Sequence, residues 1–175
     1  MRTQNGFTLL ELIIVVSIIS IGSALALPNM KAIFSRIKFN SQVSILQNDF
    51  QMIRFKAING NCPYKIVFTL STTAQDTYKA MYFIDESVWK TDRDISNRTI
   101  KKEVDIAYID NTGNVNGNFE KIFYPDGSCS DGATISDGVI FLKFADKIVN
   151  KLGYDLKKKI SITQATGFVR VVEGW

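Results

Sequence analysis

The stretch FTLLELIIVVSIISIGSALAL, residues 7–27, decides how this chain must be organised. It holds one charge, Glu11; otherwise only Thr8, Gly22 and the serines Ser17, Ser20 and Ser23 interrupt an apolar run. As an α-helix it is about 30 Å long, the thickness of a bilayer's hydrocarbon core. No second stretch of the 175 residues comes close. The chain therefore reads as one N-terminal membrane segment followed by a water-soluble remainder.

Three readings of that segment compete. A secretory signal peptide would use Arg2 as its charged region and residues 9–21 as its apolar region, with cleavage at Ala24-Leu25-Ala26. Glu11 then sits inside the apolar region, where a charge is costly, and the cut falls just before Leu27-Pro28. A plain signal anchor explains the length but not the glutamate. The third reading starts from Glu11 itself. An ionisable group in a spanning helix costs up to a few kcal/mol, so a partner is expected. Arg2, nine residues back, is too remote. A cut after Gly6 would give Phe7 a free α-amine, positive at pH 7, four residues before Glu11. With helices packed side by side at an axial offset, one subunit's carboxylate meets the next subunit's amine.

Residues Gly6-Phe7-Thr8-Leu9-Leu10-Glu11-Leu12, after a six-residue leader with a basic residue, resemble the class III prepilin signal of type IV pilins and type II secretion pseudopilins. The resemblance implies that a prepilin peptidase cuts between Gly6 and Phe7 and methylates the new amine. It makes Glu11 the assembly carboxylate and Pro28 a kink or loosening of the helix. It also implies a single-pass protein of the bacterial inner membrane with a periplasmic C-terminal domain, incorporated with other pilins into a filament. One count points the other way. Lys31, Arg36 and Lys38 follow the segment while Arg2 and the initiator amine precede it, which by basic residues alone places the C-terminal side in the cytoplasm.

Beyond the segment the helix is expected to continue to about Asn59. Apolar residues recur at Met30, Ile33, Phe34 and Ile37, then at Phe39, Val43, Leu46, Phe50, Ile53 and Ala57, in helical steps. Asn59-Gly60-Asn61-Cys62-Pro63 supplies the stop. The second half of this stripe should lie on a sheet, and the first half is the better candidate for contact between subunits. From Tyr64 the period changes towards 2, with strands expected at 64–70, 78–84, 104–109, 119–124, 138–144, 159–163 and 168–172. Turn signals at 111–118, Pro125-Asp126-Gly127 and Ser136-Asp137-Gly138 separate them, and residues 146–158 fit strand, helical turn or loop. The fold class is α+β and pilin-like, a long N-terminal helix on an antiparallel sheet or small β-sandwich. The divisions are a leader at 1–6, a membrane or filament-core segment at 7–27, an amphipathic helix at 28–61 and a β-rich domain at 62–175.

The string IFYPDGSCSDGATI, residues 122–135, and ISITQATGFVRV near the C-terminus resemble the GspH/FimT group of minor pilins and pseudopilins. That group carries an F-x-P-D-G turn and a closing T-G-R-V-R hairpin. Gly127 and Gly167 also have a conformational reason to be there, since tight connections use positive φ. Some FimT-type members bind DNA through arginines of this hairpin, which sets an alternative role in DNA uptake by a competence pilus. Arg170 matches one such arginine, and Phe168 stands where the other would be. Lys157, Lys158 and Lys159 add charge nearby, and residues 143–175 hold seven cations against three acids, which accounts for the net +4. Such a face can hold phosphates by charge alone or serve only solubility.

Composition removes most enzymes. With no histidine, Ser-His-Asp and Cys-His activation and histidine-ligated metals are excluded, and two cysteines cannot form a Cys₄ site. The chain reads as a structural subunit with no cofactor. Outside the cytoplasm Cys62 and Cys129 are candidates for a disulfide, worth up to roughly 4 kcal/mol for a loop of that length. Asp126, Ser128, Ser130 and Asp131 offer oxygens, but no glutamate follows at calcium-loop spacing, so a hydrophilic turn is expected and no metal.

Overall fold

A computed structural model describes residues 7–71, 74–85, 88–101, 104–109, 115–116, 118–131, 139–144 and 156–173; within these, the side chains of 25–29, 31, 32, 108, 109, 115, 116, 141, 143 and 144 are outside the description. The chain divides into two compact units, Met1–Ile37 and Lys38–Trp175.

One helix, α1 (Leu9–Gly60), contributes to both. It runs through Pro28, which has no N–H to give the carbonyl four residues back. In the first unit the described large apolar side chains from Leu9 to Ile21, and Met30, Ile33, Phe34 and Ile37, are all exposed. Among the described residues no helix is long and apolar enough to cross a membrane; the continuous run of described side chains ends at Ala24. α1 stops where the sequence indicates. Asn61 takes a positive φ of 47°, Cys62 N–H donates to Ala57 O at 3.3 Å and Asn61 N–H donates to Ile58 O at 3.4 Å. That is a Schellman closure with asparagine in the left-handed position.

The second unit combines the C-terminal part of α1 with two antiparallel sheets. The first sheet has the order β3 (Val88–Thr91), β2 (Thr77–Asp85), β1 (Tyr64–Thr69), β7 (Phe119–Phe123), β8 (Cys129–Ser130), with β4 (Arg98–Thr99) also on β2. The second has the order β11 (Phe168–Glu173), β10 (Lys157–Thr163), β9 (Val139–Phe144), β5 (Val104–Ile109), β6 (Val115–Asn116). All seven expected strands are present. β3, β4, β6 and β8 are additional, each two to four residues long. β6 falls in the segment 111–118 read as a turn and β8 in the loop after Gly127. Of 146–158, residues Lys157 and Lys158 open β10 and 146–155 lie outside the described residues.

Phe39, Val43, Leu46, Phe50, Ile53 and Ala57 of α1 are fully or almost fully buried, so the stripe continues but changes character after Ile37. They share one core with Ile66, Phe68, Tyr78 and Phe123 of the first sheet and Ile140, Leu142, Ile160 and Ile162 of the second. Phe68 is the aromatic hub, stacked on Phe119 at 4.4 Å and on Tyr78 at 5.3 Å between ring centroids. Lys121 stands on the buried face of β7 between Phe119 and Phe123, where it pairs with Asp131.

Candidate functional site

Gly6 lies outside the described residues. Phe7 and Thr8 precede α1, and Phe7 is 89% exposed. The Glu11 carboxylate turns back on the helix start. Thr8 donates to Glu11 Oε2 from its backbone N–H at 3.0 Å and from its hydroxyl at 3.2 Å. Glu11 N–H donates to Thr8 Oγ1 at 3.2 Å. This reciprocal pair is a capping box, with Thr8 as N-cap and Glu11 at the third helical position. The spacing Thr-x-x-Glu before an apolar run is a helix-start signature legible in the sequence, and reading Glu11 for its charge alone passes over it. Glu11 thus has a local hydrogen-bond role, and its charge lies near the positive end of the helix dipole. Two of the serines are also satisfied locally: Ser17 donates to Ile13 O at 2.8 Å and Ser20 to Val16 O at 2.7 Å.

The two glycine turns that carried the second resemblance meet in space. Gly127 (φ 86°) ends a turn closed by Gly127 N–H to Tyr124 O at 2.9 Å, and Gly167 (φ 59°) closes the β10–β11 hairpin. A methyl at Gly167 would lie 2.4 Å from Gly127 O, so backbone occupies that space. Cys129 N–H donates to Gln164 O at 2.8 Å, and Arg54 Nε, from α1, donates to Thr166 O at 2.7 Å. Arg54 joins helix, turn and hairpin, a role with no local signal in the sequence.

The basic residues do not form one patch. In β10 the residues alternate, so Lys158 shares the face of buried Ile160 and Ile162, while Lys157, Lys159 and Ser161 share the opposite face. Lys158 lies opposite Glu173 and pairs with it at 3.1 Å. Arg170, exposed, lies opposite Ser161, and Lys157 lies opposite Lys143. Lys157, Lys159 and Arg170 therefore share a sheet face and Lys158 leaves it. Exposed Phe168 lies two residues from Arg170 on the same strand face.

The expected bridge between Cys62 and Cys129 is not formed; both are thiols. Cys129 lies opposite Phe123 and Phe123 opposite Tyr64, so β7 stands between Cys129 and the strand that follows Cys62. Cys129 Sγ instead donates to Thr163 O at 3.7 Å, and partial burial raises the pKa of the Cys62 thiol.

The oxygens around Gly127 are engaged within the protein. Asp126 Oδ1 accepts from the Ser128 hydroxyl at 2.6 Å and the Ser128 N–H at 2.9 Å, which hold its carboxyl below the usual range. The Ser130 hydroxyl lies 3.1 Å from Tyr124 Oη, and Asp131 pairs with Lys121. Among the described residues no group of three or more histidine, cysteine or acidic side chains could hold a metal.

A family model described as the prokaryotic N-terminal methylation motif matches residues 1–27. No curated protein and no solved structure matches the chain. The matched segment is a class III prepilin signal, which makes the chain type IV pilin-like at its N-terminus and implies prepilin peptidase processing and assembly with other pilins.

Proposed function

We propose that the protein is a minor pilin or pseudopilin, a structural subunit of a type IV pilus or type II secretion pseudopilus that acts near the tip or in an initiating complex. The observation that carries this is the methylation motif over residues 1–27, whose described large apolar side chains are exposed. In this reading the chain waits in the inner membrane with its β-rich unit in the periplasm. Cleavage after Gly6 frees the Phe7 amine, which is methylated. Glu11 then turns from its Thr8 cap towards the amine of an adjacent subunit, and the apolar helix enters the filament. The work is assembly, not chemical turnover. The GspH/FimT resemblance supports the minor-subunit assignment, because the turn and hairpin that carry it form one unit with Arg54.

The mass of the mature N-terminal peptide from the native host tests this reading. N-methylated phenylalanine at position 7 is the expected result. A start at Leu27, or an uncut Met1, overturns it.

A second reading, DNA binding in uptake, is favoured by one observation: Lys157, Lys159 and Arg170 share a sheet face. Duplex binding should then fall steeply with salt and weaken with Arg170→Ala or Lys159→Ala, but not with Lys158→Ala. No binding at low salt removes it.

A further inference from the structure

Pairing between β10 and β11 sets the shape of their hairpin, and buried Ile160, Ile162 and Val169 seat its inner face on the core. Its tip, residues 164–167, is placed separately by three ties to other elements. Cys129 N–H donates to Gln164 O at 2.8 Å, and the Gly167 backbone lies so close to Gly127 O that no methyl would fit between them. Arg54 Nε, from α1, donates to Thr166 O at 2.7 Å. The first two ties are backbone on both sides. The third is made by a side chain, and it is charge-assisted, hence stronger than a bond between neutral groups.

Arg54 is built into this junction. Its Cδ and Nε lie 3.1 and 3.2 Å from the position that a Gly167 methyl would take, and its Nη2 lies 3.5 Å from the corresponding position at Gly127. The flat guanidinium group thus fills the space beside two residues that have no side chain, both at positive φ. Phe168 follows Gly167 directly, and Arg170 lies two residues further along on the same strand face. The position of the tip is therefore the position of this end of the basic face. Lys56, two residues on along α1, carries the same charge but is engaged elsewhere, held by Asp92 at 2.8 Å and Asp94 at 2.6 Å.

Resting on the DNA reading above, we infer that Arg54 is a positioning residue for nucleic-acid binding by this hairpin: it holds the tip where Arg170 and Lys159 can meet phosphates, and does not contact one itself. A tip freed from Arg54 occupies that place for only part of the time, and apparent affinity falls by the same fraction. The number of phosphates met in the bound state stays the same, so the slope of affinity against salt stays the same too. Loss of a residue that meets a phosphate would instead lower that slope, as loss of Arg170 should.

The test titrates the full chain in detergent against a fluorescently labelled DNA duplex, by anisotropy over a series of salt concentrations, with urea midpoints to establish that each variant is folded. Arg54→Met should weaken binding about five- to tenfold with the salt slope unchanged, whereas Arg170→Ala should reduce the slope by about one. Arg54→Lys, a milder variant that keeps the charge but has a methylene where Nε stands, should also weaken binding, by about threefold or more. Lys56→Met removes an equal charge from the same helix and should stay within about twofold of wild type. Failure of the wild type to bind at low salt removes the DNA reading, and this inference with it. With the wild type binding, three results overturn the inference alone: unchanged affinity in both Arg54 variants, a slope that falls by about one in Arg54→Met, or equal weakening in Arg54→Met and Lys56→Met.

Discussion

Replacing Glu11 by glutamine separates two jobs held by one carboxylate. In the single chain its oxygen accepts from the Thr8 N–H at 3.0 Å and the Thr8 hydroxyl at 3.2 Å. Glutamine keeps an oxygen for both and serves in a capping box as glutamate does, so the helix start loses only its charge–dipole part, about 0.3–1 kcal/mol. The charge that the proposed pairing with a neighbouring amine requires is gone. Losing a charge-assisted hydrogen bond costs about 1.5–3 kcal/mol, roughly a ten- to 150-fold drop in the equilibrium for adding a subunit. Thr8→Val does the reverse. It removes the hydroxyl, costs about 1 kcal/mol at the helix start, and leaves the carboxylate charged. The assay is the fraction of protein in sheared filaments against membranes, by quantitative immunoblot at native expression. Glu11→Gln should fall out of the filament fraction, and Thr8→Val should stay within about twofold of wild type, well short of a 1 kcal/mol effect. Equal incorporation of Glu11→Gln and wild type refutes the charge argument. A Thr8→Val defect as deep as that of Glu11→Gln would mean that the carboxylate acts through the cap.

Three other outcomes follow from the second unit. Gly167→Ala combines a left-handed backbone penalty of about 1–2 kcal/mol with the 2.4 Å approach to Gly127 O, whereas Gly127→Ala meets nothing nearer than 3.5 Å. Urea midpoints should therefore fall further for Gly167→Ala, and equal shifts refute the close approach. The Lys56 ion pairs give a pH window. Burial disfavours the Lys56 charge, but Asp92 and Asp94 outweigh it and raise its pKa, while Lys56 lowers that of Asp94. The raised lysine adds stability below its unfolded value that is lost as pH rises past the folded one; the lowered aspartate adds stability above its unfolded value that is lost as pH falls. Both are present between about pH 5 and pH 9, and Asp94→Asn should flatten the acid side of a Tm profile. Unreduced, denatured protein should titrate for both thiols, and a Cys62–Cys129 peptide in a non-reducing digest would contradict this.

Much of this fold is written locally. The seven longer strands announce themselves because alternation over five or more residues suits a half-buried strand and little else, and Asn59-Gly60-Asn61 ends the helix through the one residue that takes positive φ there. β4 and β8 carry no such pattern. Arg98–Thr99 and Cys129–Ser130 are strands only because β2 and β7 offer them an edge, a fact settled far away in the chain. The site divides the same way. The signal around Phe7 and Glu11 is contiguous, so it is legible, and the capping box is equally legible in its spacing. Three consecutive lysines conceal their phase until Ile160 and Ile162 fix it, and the partner that removes Lys158 from the basic face lies fifteen residues on. The cysteine pair misleads for a related reason: spacing along the chain does not reveal how many strands lie between two residues.

The helix uses one apolar pattern for two opposite purposes. After Ile37 the stripe closes on the protein's own core. Before it, among the described residues, fifteen large apolar side chains from Phe7 to Ile37 are exposed. Covering the part of each that is exposed is worth about 1–2 kcal/mol, on the order of 15 kcal/mol or more together, comparable with the whole stability of an ordinary domain. In the proposed function, lipid or other helices of the same kind supply that cover. Such a cover need bring little polar chemistry, because Ser17 and Ser20 already donate to their own backbone. Glu11 is the exception. Its cap satisfies hydrogen bonds but leaves a net charge, and two Thr8 dipoles cannot neutralise it. In the proposed assembly, a positive group brought to the depth of Glu11 sets where such a cover stops.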